Sequence, residues 1–310
     1  YVLTSCAPTS TSGVAQGSLA TGSAKAALSG TPTYGQTLTA TAMGLPSGAV
    51  AKYQWYRGTA AISGATSATY KLVQADIGQQ LKCVVSDASG GYKGTLSTAS
   101  SNAVAKATAQ ASVSISGVAK IDQTMTANVT GLPAGSNAVH YQWAYSADQK
   151  TWTNNGSDAS TYKVVYGTGN YYRVTVTVTG NPCYDVKGTT SAVFGPFAKA
   201  DASAPTVSVS GTKGIGQKLT ATVSGQPRDT SGTSYQWQYS SDGGKTWKDS
   251  STAGAKTATL TCDTTWLNLY ARCVVTTSNN YYNVPMAASP AYGPIGKGTH
   301  TRAIISNERF

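Results

Sequence analysis

Five cysteines, two histidines and twelve Asp and Glu are the whole supply of metal ligands and acid–base groups in 310 residues. A metal site needs such groups at short, fixed spacing. His140 and His300 both stand apart from any cysteine or carboxylate at that spacing. The aspartates occur singly, without the Asp-x-Asp-x-Asp-Gly run of a calcium loop, and Glu308 is the only glutamate. Neither Gly-x-Ser-x-Gly nor a glycine-rich phosphate loop is present. The expectation is a protein that uses no cofactor, metal or catalytic residue and is not an enzyme.

The cysteines allow crosslinking chemistry. Cys262 and Cys273 fall on successive strands with both side chains toward the core, so they form either a disulfide or two inert buried thiols. Cys83 has no partner nearby and reads as a buried free thiol. Cys6 lies in a Ser/Thr-rich leader and Cys183 at a turn tip, where both are expected to be exposed and to pair within or between chains.

Ser240-Ser241-Asp242-Gly243-Gly244-Lys245-Thr246-Trp247 fits the Asp-box pattern of sialidase-like propellers, and Ser146 to Trp152 is a shorter version. Its physical content is a hairpin: Asp accepts backbone amides across the turn, Gly takes a positive φ, and Trp packs beneath. The copies, arginine cluster and acid–base residues of a propeller enzyme are missing. Tyr92, Cys183-Tyr184 and Tyr281-Tyr282 recur at a single turn. Exposed tyrosines there are possible contacts for a sugar ring, whereas recurrence at one position favours a shared packing role.

These residues are positioned by a repeat. Tyr-Gln-Trp occurs at Tyr53-Gln54-Trp55, Tyr141-Gln142-Trp143 and Tyr235-Gln236-Trp237, a period of about 90 residues, which is the size of one β-sandwich. Before each triplet comes a strand of the type Leu38-Thr39-Ala40-Thr41-Ala42, matched at Met125 to Val129 and Leu219 to Val223. Its alternation is that of a half-buried antiparallel strand. Leu81 to Val85 matches Tyr172 to Val176 and Ala271 to Val275. About seven strands per unit predict an all-β protein of three tandem sandwiches at 25–104, 111–198 and 205–295. A flexible N-terminal segment (1–24) and a C-terminal segment (296–310) flank them. Glutamate is nearly absent while Thr, Val, Tyr and Gly abound, so long helices are not expected.

The net charge of +11 is spread thinly. Six Lys and Arg oppose two Asp in 25–104, five oppose four in 111–198, and seven oppose four in 205–295. Phosphate recognition needs a concentrated basic footprint, so no nucleic-acid partner is expected. A diffuse positive surface suits solubility or weak affinity for an anionic cell wall or glycan. No apolar run is long enough to span a membrane. The first residue is Tyr1, without a methionine, which suggests a processed or excised product.

With Gly-Gln-x-Leu-Thr-Ala at residues 35–40 and 216–221, and Ala75-Asp76-Ile77-Gly78 within 64–87, the chain resembles tandem immunoglobulin-like (Ig-like) domains of Gram-positive cell-surface proteins. The resemblance covers about residues 25–295. It implies a stalk, spacer, structural or adhesive role outside the cell, at the bacterial surface. One departure is informative. The second-strand position that carries a cysteine in antibody domains is Ala40, Ala127 and Ala221 here, so aliphatic packing is expected to cover the tryptophans.

The end segments fall outside the repeat. The tail around Thr301, Ala303, Ile304 and Ile305 has strand propensity and suits β-strand addition to a neighbour. The functional expectation is a non-enzymatic filament or stalk subunit that polymerises head to tail with copies of itself through its terminal segments. The alternative is a monomeric adhesin or carbohydrate-binding segment acting through Tyr92, Tyr184, Tyr281 and Tyr282.

Overall fold

A computed structural model of the chain describes residues 15–298. The chain is all-β and consists of tandem Ig-like sandwiches, with only two short 3-10 turns among the described residues, Gln74–Asp76 and Thr264–Trp266. Spatially it gathers into two compact units. Of the described residues, the N-terminal unit holds 15–113, 129–141 and 175–190, and the C-terminal unit holds 114–128, 142–174 and 191–298.

The first repeat runs β1 (Gly17–Ser18), β2 (Lys25–Ser29), β3 (Thr37–Met43), β4 (Ala51–Arg57), β5 (Ala60–Ala61), β6 (Thr69–Lys71), β7 (Leu81–Asp87), β8 (Tyr92–Lys93) and β9 (Leu96–Ser97). One sheet has the order β2-β3-β6 and the other β5-β4-β7-β9. The second repeat runs β10 (Ala107–Gln110), β11 (Ser112–Ser116), β12 (Thr124–Thr130), β13 (Ala138–Ser146), β14 (Thr153–Asn155), β15 (Thr161–Lys163), β16 (Tyr171–Thr179), β17 (Tyr184–Lys187) and β18 (Thr189–Thr190). Its sheets are β11-β12-β15 and β14-β13-β16-β18. The third repeat runs β19 (Ala200–Asp201), β20 (Thr206–Gly211), β21 (Lys218–Ser224), β22 (Thr230–Ser240), β23 (Lys248–Asp249), β24 (Thr259–Thr261), β25 (Tyr270–Asn279), β26 (Tyr282–Asn283) and β27 (Ala287–Ala288). Its sheets, β20-β21-β24 and β23-β22-β25-β27, keep the same order.

Alternation places each core. Leu38 and Ala40 of β3 are buried with Trp55, Leu72, Leu81 and Cys83, and Leu219 and Ala221 of β21 are buried with Trp237, Leu260 and Cys273. All three repeat tryptophans are fully buried, and each indole donates to a backbone carbonyl, of Ser67, Ala159 and Thr257 respectively. The cover over them is only partly aliphatic. Tyr70 lies 5.7 Å from Trp55 and Tyr162 lies 5.9 Å from Trp143, ring to ring, and Leu260 replaces this tyrosine in the third repeat.

One glycine position recurs for a steric reason. Gly30, Gly117 and Gly211 all follow or end the first sheet strand at φ +108°, +132° and +124°, where a Cβ would lie within 2.8 Å of a carbonyl on the next strand. Only glycine fits there.

The leader and the segments between the predicted sandwich bounds are partly strands. Ala107–Gln110 forms β10 and Ala200–Asp201 forms β19. In the leader Gly17–Ser18 forms β1, and Leu19, only 1% exposed, packs beside Val85 and Leu96. Residues 17–19 of the segment expected to be flexible are thus paired and packed. A single apolar side chain that reaches a core is enough to anchor a Ser/Gly-rich segment.

Candidate functional site

In every repeat the turn before β8, β17 or β26 is built by one side chain that gathers backbone amides. Asn181 Oδ1 accepts from the amides of Cys183 and Tyr184, both at 2.9 Å. Asn279 Oδ1 accepts from Tyr281 and Tyr282 at 2.8 and 3.0 Å. Asp87 does the same work in the first repeat, accepting from Ser89, Tyr92 and Val50. The Ser89 hydroxyl and these amides hold its carboxyl far below the usual carboxylate range.

That turn exposes a strand edge, and the segment leading into the repeat fills it. The pairing is parallel in each case: Gly17 with Tyr92, Ala107 with Tyr184, and Ala200 with Tyr282. The residue just before each of these strands then closes on a turn carbonyl. Gln16 Nε2 donates to Gly90 O at 2.7 Å, Lys106 Nζ to Asn181 O at 2.8 Å, and Lys199 Nζ to Asn279 O at 2.6 Å. Backbone pairing thus fixes the register, and a long side chain ties it at one end.

In the N-terminal unit this arrangement makes a joint between the first and second repeats. Tyr34 donates its amide to Ala105 O at 2.9 Å, and its ring meets Tyr184 edge-on at 5.5 Å. A hydrogen bond to Cys183 pushes the Tyr34 hydroxyl pKa up.

In the C-terminal unit the joint between the second and third repeats centres on Arg228. Its guanidinium lies 5.0 Å from the Tyr166 ring centre and 5.4 Å from that of Tyr282. Nη2 donates to Asp122 Oδ1 at 2.7 Å and to Val165 O at 3.0 Å, and Nε donates to the Tyr282 hydroxyl at 2.8 Å. The Tyr282 hydroxyl in turn donates to Asp122 Oδ2. Tyr281 meets Tyr166 edge-on at 5.1 Å, and Lys120 Nζ donates to Asp201 Oδ2 at 2.6 Å. Asp122 sits at φ +65°, where the first and third repeats carry Gly35 at +79° and Gly216 at +77°. An aspartate in the left-handed region costs about 1 kcal/mol relative to glycine. The carboxylate that clasps Arg228 is the compensation.

The Asp-box segments are structural hairpins. Asp242 accepts from the Thr246 and Lys245 amides and the Ser240 and Thr246 hydroxyls, and Gly243 and Gly244 both have positive φ. Asp148 accepts from Thr151, Lys150 and Ser146, which lower its pKa to about 2. The tryptophans pack against the turn, with Trp247 Nε1 donating to Gly244 O at 3.0 Å and Trp152 Nε1 to Gln149 O at 3.2 Å. Trp247 is covered by Arg272 at 4.4 Å and Trp152 by Arg173 at 4.2 Å.

The sequence-predicted residues are distributed as follows. Tyr184, Tyr281 and Tyr282 are half-buried in the two joints, and Tyr92 is half-buried with its ring over Gly17 and its hydroxyl on Ser47 O at 2.7 Å. Cys183 is not at an exposed tip but 7% exposed, because β10 and Tyr34 cover the turn. Cys262 and Cys273 are both free thiols, so the expected disulfide is not formed. They fill the core as small apolar groups, and burial pushes both thiols up to about 11. Cys83 is likewise buried and free. Cys6, His300, Thr301, Ala303, Ile304 and Ile305 lie outside the described residues.

Sequence reading missed Lys106, Lys199, Asn181, Asn279, Asp122 and Arg228. A signal existed for the lysines, since Val104-Ala105-Lys106-Ala107 and Phe197-Ala198-Lys199-Ala200 leave successive repeats in identical pattern. Arg228 and Asp122 carry no such signal, being 106 residues apart and absent from the first joint.

Among the described residues no group of three or more His, Cys, Asp and Glu is arranged to hold a metal, and no helix is long and apolar enough to cross a membrane. No family model matches the chain, and no curated protein sequence matches it. Among solved structures the chain is similar to the three N-terminal domains of the bacteriophage RB49 Highly Immunogenic Outer Capsid protein, with 14% identity and a TM-score of 0.25 over 86% of this chain and 95% of that one. It is similar to the chicken CNTN1 FN1-FN3 domains at 13% identity and a TM-score of 0.26, over 86% of this chain and 98% of that one. Domains A168-A170 from titin give 13% identity and a TM-score of 0.31, over 89% and 98%.

Proposed function

We propose that this chain is a non-enzymatic structural protein of the bacterial cell surface, the subunit of an extracellular filament or stalk that assembles head to tail through its terminal segments. The observation that carries this reading is the use of the recurrent turn tyrosines, Arg228 and Asp122 to hold one repeat to the next. Side chains of these types at a turn are what a ligand site would use, and here they support continuity between modules. The thin, spread positive charge suits a surface location near anionic wall polymers.

Electron microscopy and sedimentation of the full chain test the reading. Polymers are expected, and deletion of residues 296–310 should abolish them while the three sandwiches stay folded. Polymers that survive this deletion would sink it.

A glycan-binding role draws on a different observation. Beside the second joint lies a groove of about 730 Å³ lined by Lys199, Asn279, Asn280, Tyr282 and Pro285, and one of about 430 Å³ lies beside the first. A glycan array with Tyr281→Ala and Tyr282→Ala controls tests it. Binding by a monomeric chain that these changes abolish would favour the adhesin over the filament subunit.

A further inference from the structure

We infer that a second copy of this chain docks at the end of the third repeat by strand exchange, with Lys297-Gly298 of one copy taking the place that Gln16-Gly17 holds beside β8 of the next. This deepens the head-to-tail reading and rests on it.

All three repeats end alike. Val104, Phe197 and Ile295 are buried, at 2%, 1% and 0% exposure. The next residue bridges in parallel to the turn between the first two sheet strands: Thr33 with Ala105, Lys120 with Ala198, and Gly214 with Gly296. A lysine follows each time. Lys106 and Lys199 close on the turn carbonyl of the following repeat. Lys297 stands in the same register but is exposed and has no hydrogen bond or ion pair among the described residues. The end of the third repeat is thus built for the same joint as the other two. Ile215, half-buried, occupies there the place of Tyr34, against which Tyr184 packs.

Such a joint needs a turn with a carbonyl acceptor and a strand edge. Of the three such turns among the described residues, those at Asn181 and Asn279 are already served by the end of the preceding repeat. The turn at Gly90 to Lys93 is served by the leader, through Gln16 Nε2 to Gly90 O, Gly17 N to Gly91 O at 3.0 Å and Leu19 N to Lys93 O at 2.7 Å. Gln16-Gly17-Ser18 and Lys297-Gly298-Thr299 share one pattern: a long donor, a glycine and a hydroxyl residue. The glycine has a reason, since a Cβ at Gly17 would lie 2.9 Å from the Tyr92 ring. Lys297 and Gly298 can therefore replace Gln16 and Gly17 bond for bond. Leu19 remains as the anchor of its own sandwich, and the incoming segment leaves the edge before it. An ammonium donor in place of a neutral amide favours the exchanged form.

The full chain carrying Cys6→Ser provides the test, because the four described cysteines are buried. Ser18 pairs with Lys93, so Thr299 of one copy should lie beside Lys93 of another. One preparation carries Lys93→Cys and the other Thr299→Cys. Oxidation of the mixture should give a crosslinked pair absent from either alone. Lys297→Glu should weaken self-association about tenfold or more, equivalent to about 1.4 kcal/mol, while Lys297→Gln, which copies Gln16, should retain it. Polymers that form without the crosslink and ignore Lys297→Glu would overturn strand exchange but leave the filament reading standing. A chain that stays monomeric at every concentration would overturn both.

Discussion

The joint between the first and second repeats is held mainly by backbone, and the joint between the second and third mainly by side chains. In the first, β10 and β17 pair over four residues, with one aromatic contact and one lysine. In the second, β19 and β26 pair over only two residues, and Arg228, Asp122, Tyr166 and Tyr282 supply the rest. The position of Cys183 in the first joint is taken by the larger Tyr281 in the second. A ladder of backbone bonds and a cluster of charged and aromatic groups are thus interchangeable means to one end. They differ in how they respond to salt and acid.

Arg228→Ala should have the largest effect. It leaves Asp122 and Tyr282 without their shared partner, at a cost of about 2 kcal/mol given that both ions are about one-third exposed. A double-mutant cycle with Asp122→Gly should show coupling of about 1–2 kcal/mol in urea denaturation. Additive effects would mean the cluster is not one unit. Next comes Ala107→Pro, which removes the amide that donates to Cys183 O at 3.0 Å and should cost about 1–2 kcal/mol. Cys183 is its own reporter here, because thiol labelling of the native chain should be slow and should accelerate in this variant. Unchanged labelling would show that β10 does not cover the turn.

Lys106→Met and Lys199→Met should each cost about 1 kcal/mol or less, with 0.5 M salt weakening the second joint and sparing the first. Acid gives the smallest effect. Asp201 is depressed first by its bond from Asn283 and then by Lys120. A lowered folded pKa means stability present above the ordinary aspartate value of about 3.9 and lost as pH falls through the folded one. The second joint should therefore loosen below about pH 4, seen as faster amide exchange at Tyr281 and Tyr282, while the first should not follow.

The sandwiches were legible because burial writes a period of two into strands such as Leu38-Thr39-Ala40, and because each tryptophan needs one indole acceptor and one small neighbour. The hairpin at Asp242 was legible because all its bonds are local. The joints were not. Strands such as Ala200-Asp201 are too short to show alternation, and their partners lie about 80 residues ahead. Leu19 was hidden in a Ser/Gly background, and the exposure expected of Cys183 followed from reading each repeat as if nothing stood before it. The turn tyrosines recur at one position, but the surface that Tyr184 and Tyr281 pack against belongs to the preceding repeat.

Electron microscopy of the full chain bears most directly on the central claim that these joints continue from one copy to the next. The account predicts filaments in which every junction between chains has the same sandwich-to-sandwich geometry as the two junctions within a chain. Single particles of three sandwiches, with no end-to-end contact at any concentration, would contradict it.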